Sequence, residues 1–431
     1  MKTKIEIVLF CSLLLSPWTR ADEWPQWRGP ERDGVWKETG VVQSFKPEGI
    51  PFRWRAEIGG GYTGPTVARE KVYVMDRQSK PKDRERILCF DWKTGKQIWM
   101  HEYACSYGRV KYPAGPRASV TIDDGRAYSL GSTGYACCMD ADTGEVLWEK
   151  DFDEIYGIEL PIWGISASPL IEGDLVIYQI GGKDGACLVA LDKVTGEETW
   201  KALDDPASYS SPIVIDQAGE RVLVCWTGTR VVGLDPKTGE AFYNFEIGFS
   251  RWVIAIATPV IDGDRLFVSA VDKGSAMFRL AQDKPGIEKL WWQLGTEDDP
   301  KSLHSLINTP VIVDNHIFGI GRDGIFRCVN GANGDRVWED QTAVPKGTFA
   351  TLHFVQNGDK IWIFNERGEL IISQLNKDGF KEISRAKLLD PTRAQFRQRG
   401  GVTWSHPAFA YRHVFARNDK ELVCGDLRSG E

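Results

Sequence analysis

The stretch from Ala190 to Trp200, ALDKVTGEETW, sets a carboxylate (Asp192), a hydroxyl (Thr195) and a glycine (Gly196) within five residues. Oxygen donors held that close on a tight turn could ligate a hard cation or relay a proton. The array recurs with its spacing to an aromatic residue kept: Asp91 with Trp99, Asp140 with Trp148, Asp192 with Trp200, Asp235 with Tyr243, Asp283 with Trp291, and Asn330 with Trp338. Asp426 begins a further copy that reaches the end of the sequence before its aromatic residue. One reaction centre does not need a copy in every unit, so repetition assigns these residues to architecture. The Asp accepts backbone N–H bonds across a turn, the Thr caps it, the Gly supplies a positive φ, and the aromatic ring covers the next unit.

A second set of residues has a different chemistry. Arg109, Lys111, Tyr112, Arg117, Trp163, Arg251, Trp252, His304, Arg399, Trp404 and His406 all fall in segments that join one repeat to the next. Arg77, Lys183, Arg322, Arg367 and Arg417 fall in a second group of loops expected on the same side of the molecule. Guanidinium groups among aromatic faces suit a carbohydrate, a small anion or a peptide strand. Taken singly, each Trp is better explained by packing between units and each Arg by a carboxylate partner; it is the cluster as a whole that points to a ligand. The six histidines show no metal-ligand spacing, and no local motif marks a nucleophile, so neither a catalytic residue nor a metal ligand is assigned.

The elements that must position these residues follow one grammar. A unit opens on a small residue before Pro, as in Ser168-Pro169, Ser211-Pro212, Thr258-Pro259, Thr309-Pro310 and His406-Pro407. Pro is tolerated where a strand's ladder has not begun. An apolar strand, a Gly/Asp turn such as Asp262-Gly263-Asp264, a strongly β-forming second strand, a third strand, the Asp-to-Gly turn and a fourth strand complete it. The closing glycines run from Gly95 to Gly430 at intervals of 43 to 52 residues. Four short antiparallel strands at this period predict an all-β, eight-bladed β-propeller over residues 52–431. The last unit lacks a fourth strand, while Pro51-Phe52-Arg53-Trp54 reads as one with no unit before it. The ring is therefore expected to close by N- to C-terminal pairing, with Trp54 as the displaced aromatic residue and no edge left open.

The flanking segments have other characters. Residues 1–21 resemble a secretory signal peptide: Lys2 and Lys4, an apolar run from Ile7 to Leu15, then Thr19-Arg20-Ala21. About 11 apolar residues are too few to cross ~30 Å of hydrocarbon, and no other apolar stretch is long enough, so no membrane span is expected. Residues 22–51 carry Trp24, Trp27 and Trp36 among Arg, Pro and Gly, which predicts an extended arm packing its rings onto the body. A net charge of -7 argues against nucleic acid or an anionic membrane as partner. Cys89, Cys138, Cys328 and Cys424 occupy the slot of Ala190, where equivalent positions in neighbouring sheets lie about 10 Å apart and beyond the reach of a disulfide. Adjacent Cys137 and Cys138 should point to opposite faces of one strand.

The recurring phrase resembles the tryptophan-docking motif of the quinoprotein, or pyrroloquinoline-quinone repeat, superfamily, and the resemblance covers residues 52–431. That superfamily holds quinone-dependent dehydrogenases and also non-catalytic propellers. The dehydrogenases imply a quinone on a Trp face with Ca²⁺ bound by oxygen ligands, and an Asp base. Haem-bearing members add Cys-x-x-Cys-His, which does not occur here. Cys137-Cys138 superficially matches their vicinal cysteine pair but lies inside the repeat phrase, and their long cofactor-walling insertions are absent. The expectation is an exported, periplasmic or extracellular, non-catalytic binding or scaffold module. It takes a protein partner or a carbohydrate or small anionic ligand at the basic, aromatic face and holds no cofactor. The alternative is a pyrroloquinoline-quinone- and Ca²⁺-dependent oxidoreductase acting on alcohols or sugars.

Overall fold

The computed structural model describes residues 22–248, 254–295 and 301–430. Eight four-stranded antiparallel sheets follow one another around a ring, almost without helix. The first blade is Thr66–Ala68, Lys71–Gln78, Arg84–Asp91 and Gln97–Ala104, from the axis outward. Blades two to seven repeat that order, ending in Val146–Asp151, Glu198–Ala202, Ala241–Glu246, Ile287–Gln293, Arg336–Asp340 and Gly379–Lys387. The eighth blade takes Ala408–Ala410, His413–Arg417 and Glu421–Asp426 from the C-terminus and Phe52–Glu57 from the N-terminus. Trp54 lies opposite Cys424, as Trp200 lies opposite Ala190 within its own blade.

Burial explains the strand compositions. Second and third strands face a neighbouring blade on both sides, so Leu188–Asp192 is buried over all but its last residue. Fourth strands face a neighbour on one side and solvent on the other, and Val146–Asp151 accordingly buries Trp148 between exposed Leu147 and Glu149. Cys137 and Cys138 diverge into the packing of opposite faces. All eight cysteines among the described residues are free thiols.

The repeated phrase joins blade to blade. Asp192 Oδ1 accepts from Val194 N, Thr195 N and Thr195 Oγ1 at 3.0, 2.7 and 3.0 Å, and Asp91 and Asp140 make the same turn. Each indole then donates to a main-chain carbonyl in the turn of the following blade. Trp54 reaches Trp92 O, Trp99 reaches Ala141 O, Trp148 reaches Lys193 O, Trp200 reaches Pro236 O, Trp291 reaches Gly331 O and Trp338 reaches Asn376 O, all between 2.7 and 3.2 Å. Gly196 is required twice over: its φ is +73°, and a Cβ there would stand 2.7 Å from the Trp148 ring.

Three units depart from the pattern. In blade five Ala281 N donates to Gly286 O, the bond that Asp192 N makes to Glu197 O, so Ala281 and not Asp283 takes the Asp192 place. The hairpin is longer there, and Asp283 lies in its tip, away from the junction assigned to it by spacing to Trp291. Gln217 of blade four bonds Ala281 O and Gly286 O instead, and Tyr243 leaves its buried hydroxyl without a partner. In blade seven the position of the missing Trp is Ser384, whose Oγ accepts from Phe45 N of the N-terminal arm at 2.8 Å.

The arm also closes the ring's axial channel. Trp24 pairs with Val67, Pro25 O accepts from Ile122 N, and Val35 pairs with Gln356. These contacts cap the inner strand edges of blades one, two and seven, which otherwise face the channel unpaired. Arg32 donates to the carbonyls of Ser168, Pro169 and Pro212, and Trp27 Nε1 donates to Thr258 Oγ1. Trp24 and Trp36 are buried against Phe409 and Trp362.

Candidate functional site

Every chain segment that leaves an outer strand must return to the axis to begin the next inner strand. These returning segments converge at one face of the ring, opposite the side where the arm enters. Between them lies a cavity of about 440 Å³. All eight blades contribute to its wall: Tyr62; Tyr112 and Arg117; Trp163 and Ser166; Tyr209 and Ser211; Ile254 and Ile256; Leu306 and Ile307; Phe349 and His353; Trp404 and His406. Val271 and Arg322 enter from the loops between second and third strands, and Trp27 of the arm lies at the floor.

The wall is aromatic and aliphatic. Trp404 stacks on Phe396 at 4.9 Å and lies near Tyr62 and Tyr112 at 6.5 and 6.4 Å, while Trp163 meets Tyr209 at 5.1 Å. Trp27 stands edge-on to His406 at 4.3 Å. Rigid rings on a closed scaffold give a preformed site with little ordering entropy left to lose on binding.

Among the described residues, its polar groups are cationic or neutral. The Arg117 guanidinium lies 4.6 Å from the Tyr62 ring centre and donates to the carbonyls of Lys111, Tyr112 and Gly115. Arg322 lies 5.5 Å from the Phe349 ring. Beneath the floor, Arg32 is buried among carbonyls, and that burial lowers its pKa to about 9, so it stays charged at neutral pH. His353 Nε2 meets Trp404 O at 2.8 Å, and burial lowers its pKa to about 4, which leaves it neutral. His406 is held neutral by burial, beside His353, and meets Ser119 Oγ at 3.1 Å. No Asp, Glu, Asn or Gln lines the cavity among the described residues. That donor set does not fit Ca²⁺, which takes six to eight oxygen ligands dominated by carboxylates and carbonyls.

Of the residues assigned from sequence to the binding face, Trp163, Arg322, Trp404 and His406 line the cavity, as do Tyr112 and Arg117. Arg109 does not reach it; its side chain is exposed and stands 3.3 Å from Asp153. Lys111 sits at the exposed rim, its backbone N–H bonded to Ile162 O. His304 is buried outside the wall with Nδ1 against Val271 O at 2.5 Å. Arg399 acts from behind, pairing at 2.5 and 3.1 Å with buried Glu366, which in turn accepts from Trp404 Nε1 at 3.3 Å. Arg251 and Trp252 fall outside the described residues.

Sequence reasoning passed over Trp27, Tyr62, Tyr209, Phe349 and His353. Tyr62 and Tyr209 stand within three residues of the small-residue–Pro openings at Gly64-Pro65 and Ser211-Pro212, a signal that marks the wall.

Comparison with known proteins places this architecture. A family model described as outer membrane protein assembly factor BamB matches residues 83–306 and 289–431. The chain belongs to this BamB family. BamB of Yersinia pestis is 20% identical over 259 residues, which are 57% of this chain and 60% of that protein. The quinoprotein alcohol dehydrogenase PedH of Pseudomonas putida is 27% identical over 308 residues, 67% of this chain and 46% of that one. The chain thus spans less than two thirds of the length of these curated relatives. Among solved structures, BamB from Moraxella catarrhalis superposes with a TM-score of 0.59 at 16% identity, covering 87% of this chain and 99% of that one. The quinohemoprotein alcohol dehydrogenase from Comamonas testosteroni gives 0.63 at 12% identity, covering 95% and 81%. The fold is thus shared by proteins named as an assembly factor and by proteins named as alcohol dehydrogenases, so the fold alone assigns no function.

Proposed function

We propose that this BamB-family chain is an exported, non-catalytic binding propeller whose axial cavity receives a small ligand with an apolar or aromatic body and an anionic group. The single observation that carries this reading is the lining itself: aromatic rings and aliphatic side chains with Arg117 and Arg322 and, among the described residues, no carboxylate or carboxamide. Arg32 adds positive charge beneath the floor, in a low-dielectric setting where one charge acts over a longer range than in water. The name of the assembly-factor relatives supports a scaffold role for the outer face, with a protein partner, and supports export across the inner membrane.

The test is thermal-shift and tryptophan-fluorescence screening of aromatic and aliphatic carboxylates against neutral sugars and short peptides. The expected result is saturable binding of a carboxylate, weakened at least about tenfold by Trp163→Ala or Arg322→Ala; each anchoring contact of this kind accounts for about 1–2 kcal/mol. Binding that is indifferent to both changes moves the site elsewhere. The dehydrogenase relatives supply the competing reading. Sustained dye reduction with pyrroloquinoline quinone, Ca²⁺ and an alcohol would establish it and overturn the non-catalytic one.

A further inference from the structure

A second constellation lies at the junction of blades one and two, away from the cavity. His101 is in the fourth strand of blade one, and alternation places it with Trp99 and Tyr103 on the face turned to blade two. Cys137 in Tyr135–Asp140 and Glu149 in Val146–Asp151 are direct cross-strand partners, so both side chains leave the same face of blade two. A ligand atom from each of the three lies within 4.8 Å of the others, the only such triad of His, Cys and carboxylate among the described residues.

Two further observations separate this triad from a chance meeting. His101 Nε2 is buried and has no hydrogen-bond partner, a state that a native interior seldom leaves uncompensated. Glu149 Oε2 is held by the Tyr135 hydroxyl at 2.5 Å, and Tyr135 is itself stacked on Tyr103 at 4.3 Å. The carboxylate is thus oriented by an outer partner, as the carboxylates of metal centres are. Cys137 is fully buried and Glu149 is exposed, so the three donors form a shallow socket open at the ring's outer flank.

We propose that His101, Cys137 and Glu149 bind one divalent ion of the zinc class, joining blade one to blade two. Imidazole, thiolate and carboxylate together select Zn²⁺ over Ca²⁺ or Mg²⁺, whose preference is for oxygen alone. Bond lengths of about 2.0–2.3 Å bring tetrahedral donors to roughly 3.5–4 Å of one another, a contraction within reach of a rotation of the exposed Glu149 side chain. As the metal–sulfur bond forms, the thiol proton passes to solvent and no electron is transferred. Three protein donors leave the fourth position to water.

The test uses Co²⁺ as the probe on the chelator-stripped chain. One equivalent should produce a thiolate-to-cobalt charge-transfer band with the strong visible bands of a tetrahedral ion, and Zn²⁺ should displace it. Cys137→Ala should abolish the charge-transfer band. Glu149→Gln should weaken Co²⁺ at least tenfold, and Tyr135→Phe, which removes only the positioning hydroxyl, about tenfold. Glu149 is exposed, so its variant should keep the metal-free melting temperature and report on binding alone. No charge-transfer band in the unmodified chain, or a band that persists in Cys137→Ala, overturns the proposal.

Discussion

Trp27 Nε1 donates to Thr258 Oγ1 at 2.8 Å, joining the N-terminal arm to the inner rim of blade five across 231 residues of chain. The indole at that point is both a structural tie and the floor of the axial cavity. Trp27→Ala should therefore have two separable effects. It should lower stability by about 2–4 kcal/mol, somewhat less than a fully buried Trp because Trp27 is only partly buried, and it should open the cavity towards the channel. Urea unfolding reads the first effect, and the affinity of any carboxylate found by screening reads the second. A variant with unchanged unfolding would show that the arm does not hold the floor.

Ring closure makes a sharper prediction. Trp54 is nearly buried, donates to Trp92 O at 2.7 Å and is carried by the only strand of blade eight that comes from the N-terminus. Trp54→Ala should lower stability by about 3–5 kcal/mol. Leu147→Ala, at an exposed position of a fourth strand, should change it by no more than about 0.5 kcal/mol. Thermal and urea unfolding of the pair check both.

Two glycines with the same backbone separate strain from collision. Gly125 has φ +75° with open space where a Cβ would stand, whereas Gly196 has φ +73° with the Trp148 ring at 2.7 Å. Gly125→Ala should cost about 1–2 kcal/mol, the penalty of the left-handed conformation. Gly196→Ala should cost that and a further steric term of about 1–3 kcal/mol as the indole is displaced. Equal losses at the two sites would show that the ring yields freely.

Acid should act through His353. Its folded pKa lies near 4, chiefly through burial, with the bond to Trp404 O opposing and the charge of Arg28 adding to it, against 6.5 for the free side chain. Between those values the unfolded chain binds the proton and the folded chain does not, so stability falls as pH drops from about 6.5 to about 4. The share of this one residue is on the order of 3 kcal/mol across that window. His353→Gln should flatten the stability–pH curve between those limits; an unchanged slope would assign it to other groups, such as His406, which burial also holds neutral.

The architecture was legible because it is written several times over. Asp, Thr, Gly and Trp at fixed spacing disclosed the blades, and the orphaned Trp54 disclosed the closure. Where the copies drift, legibility fails: spacing to Trp291 pointed to Asp283, but a longer hairpin places Ala281 at the junction. The cavity was half visible. Trp163, Trp404, His406 and Arg322 stood out by residue type, yet Arg109 and Arg399 have the same chemistry and find carboxylate partners outside it. Which guanidinium turns inward depends on partners distant in sequence, and no local pattern records them. The same holds for His101, Cys137 and Glu149, whose meeting arises from two blades packing face to face and not from any spacing along a strand.

Phe52–Glu57 is the outermost strand of a blade whose other three members lie beyond the seven intervening blades in the chain. In vectorial synthesis this strand emerges before its partners and must remain unmated while seven blades assemble between them. Its neighbour Glu421–Asp426 emerges only after those seven blades, so a pairing that is far from local is the one that seals the ring. A chain interrupted near residue 400 would carry seven finished blades and still leave Phe52–Glu57 without the three strands it pairs with, so the ring would stay open at two raw edges.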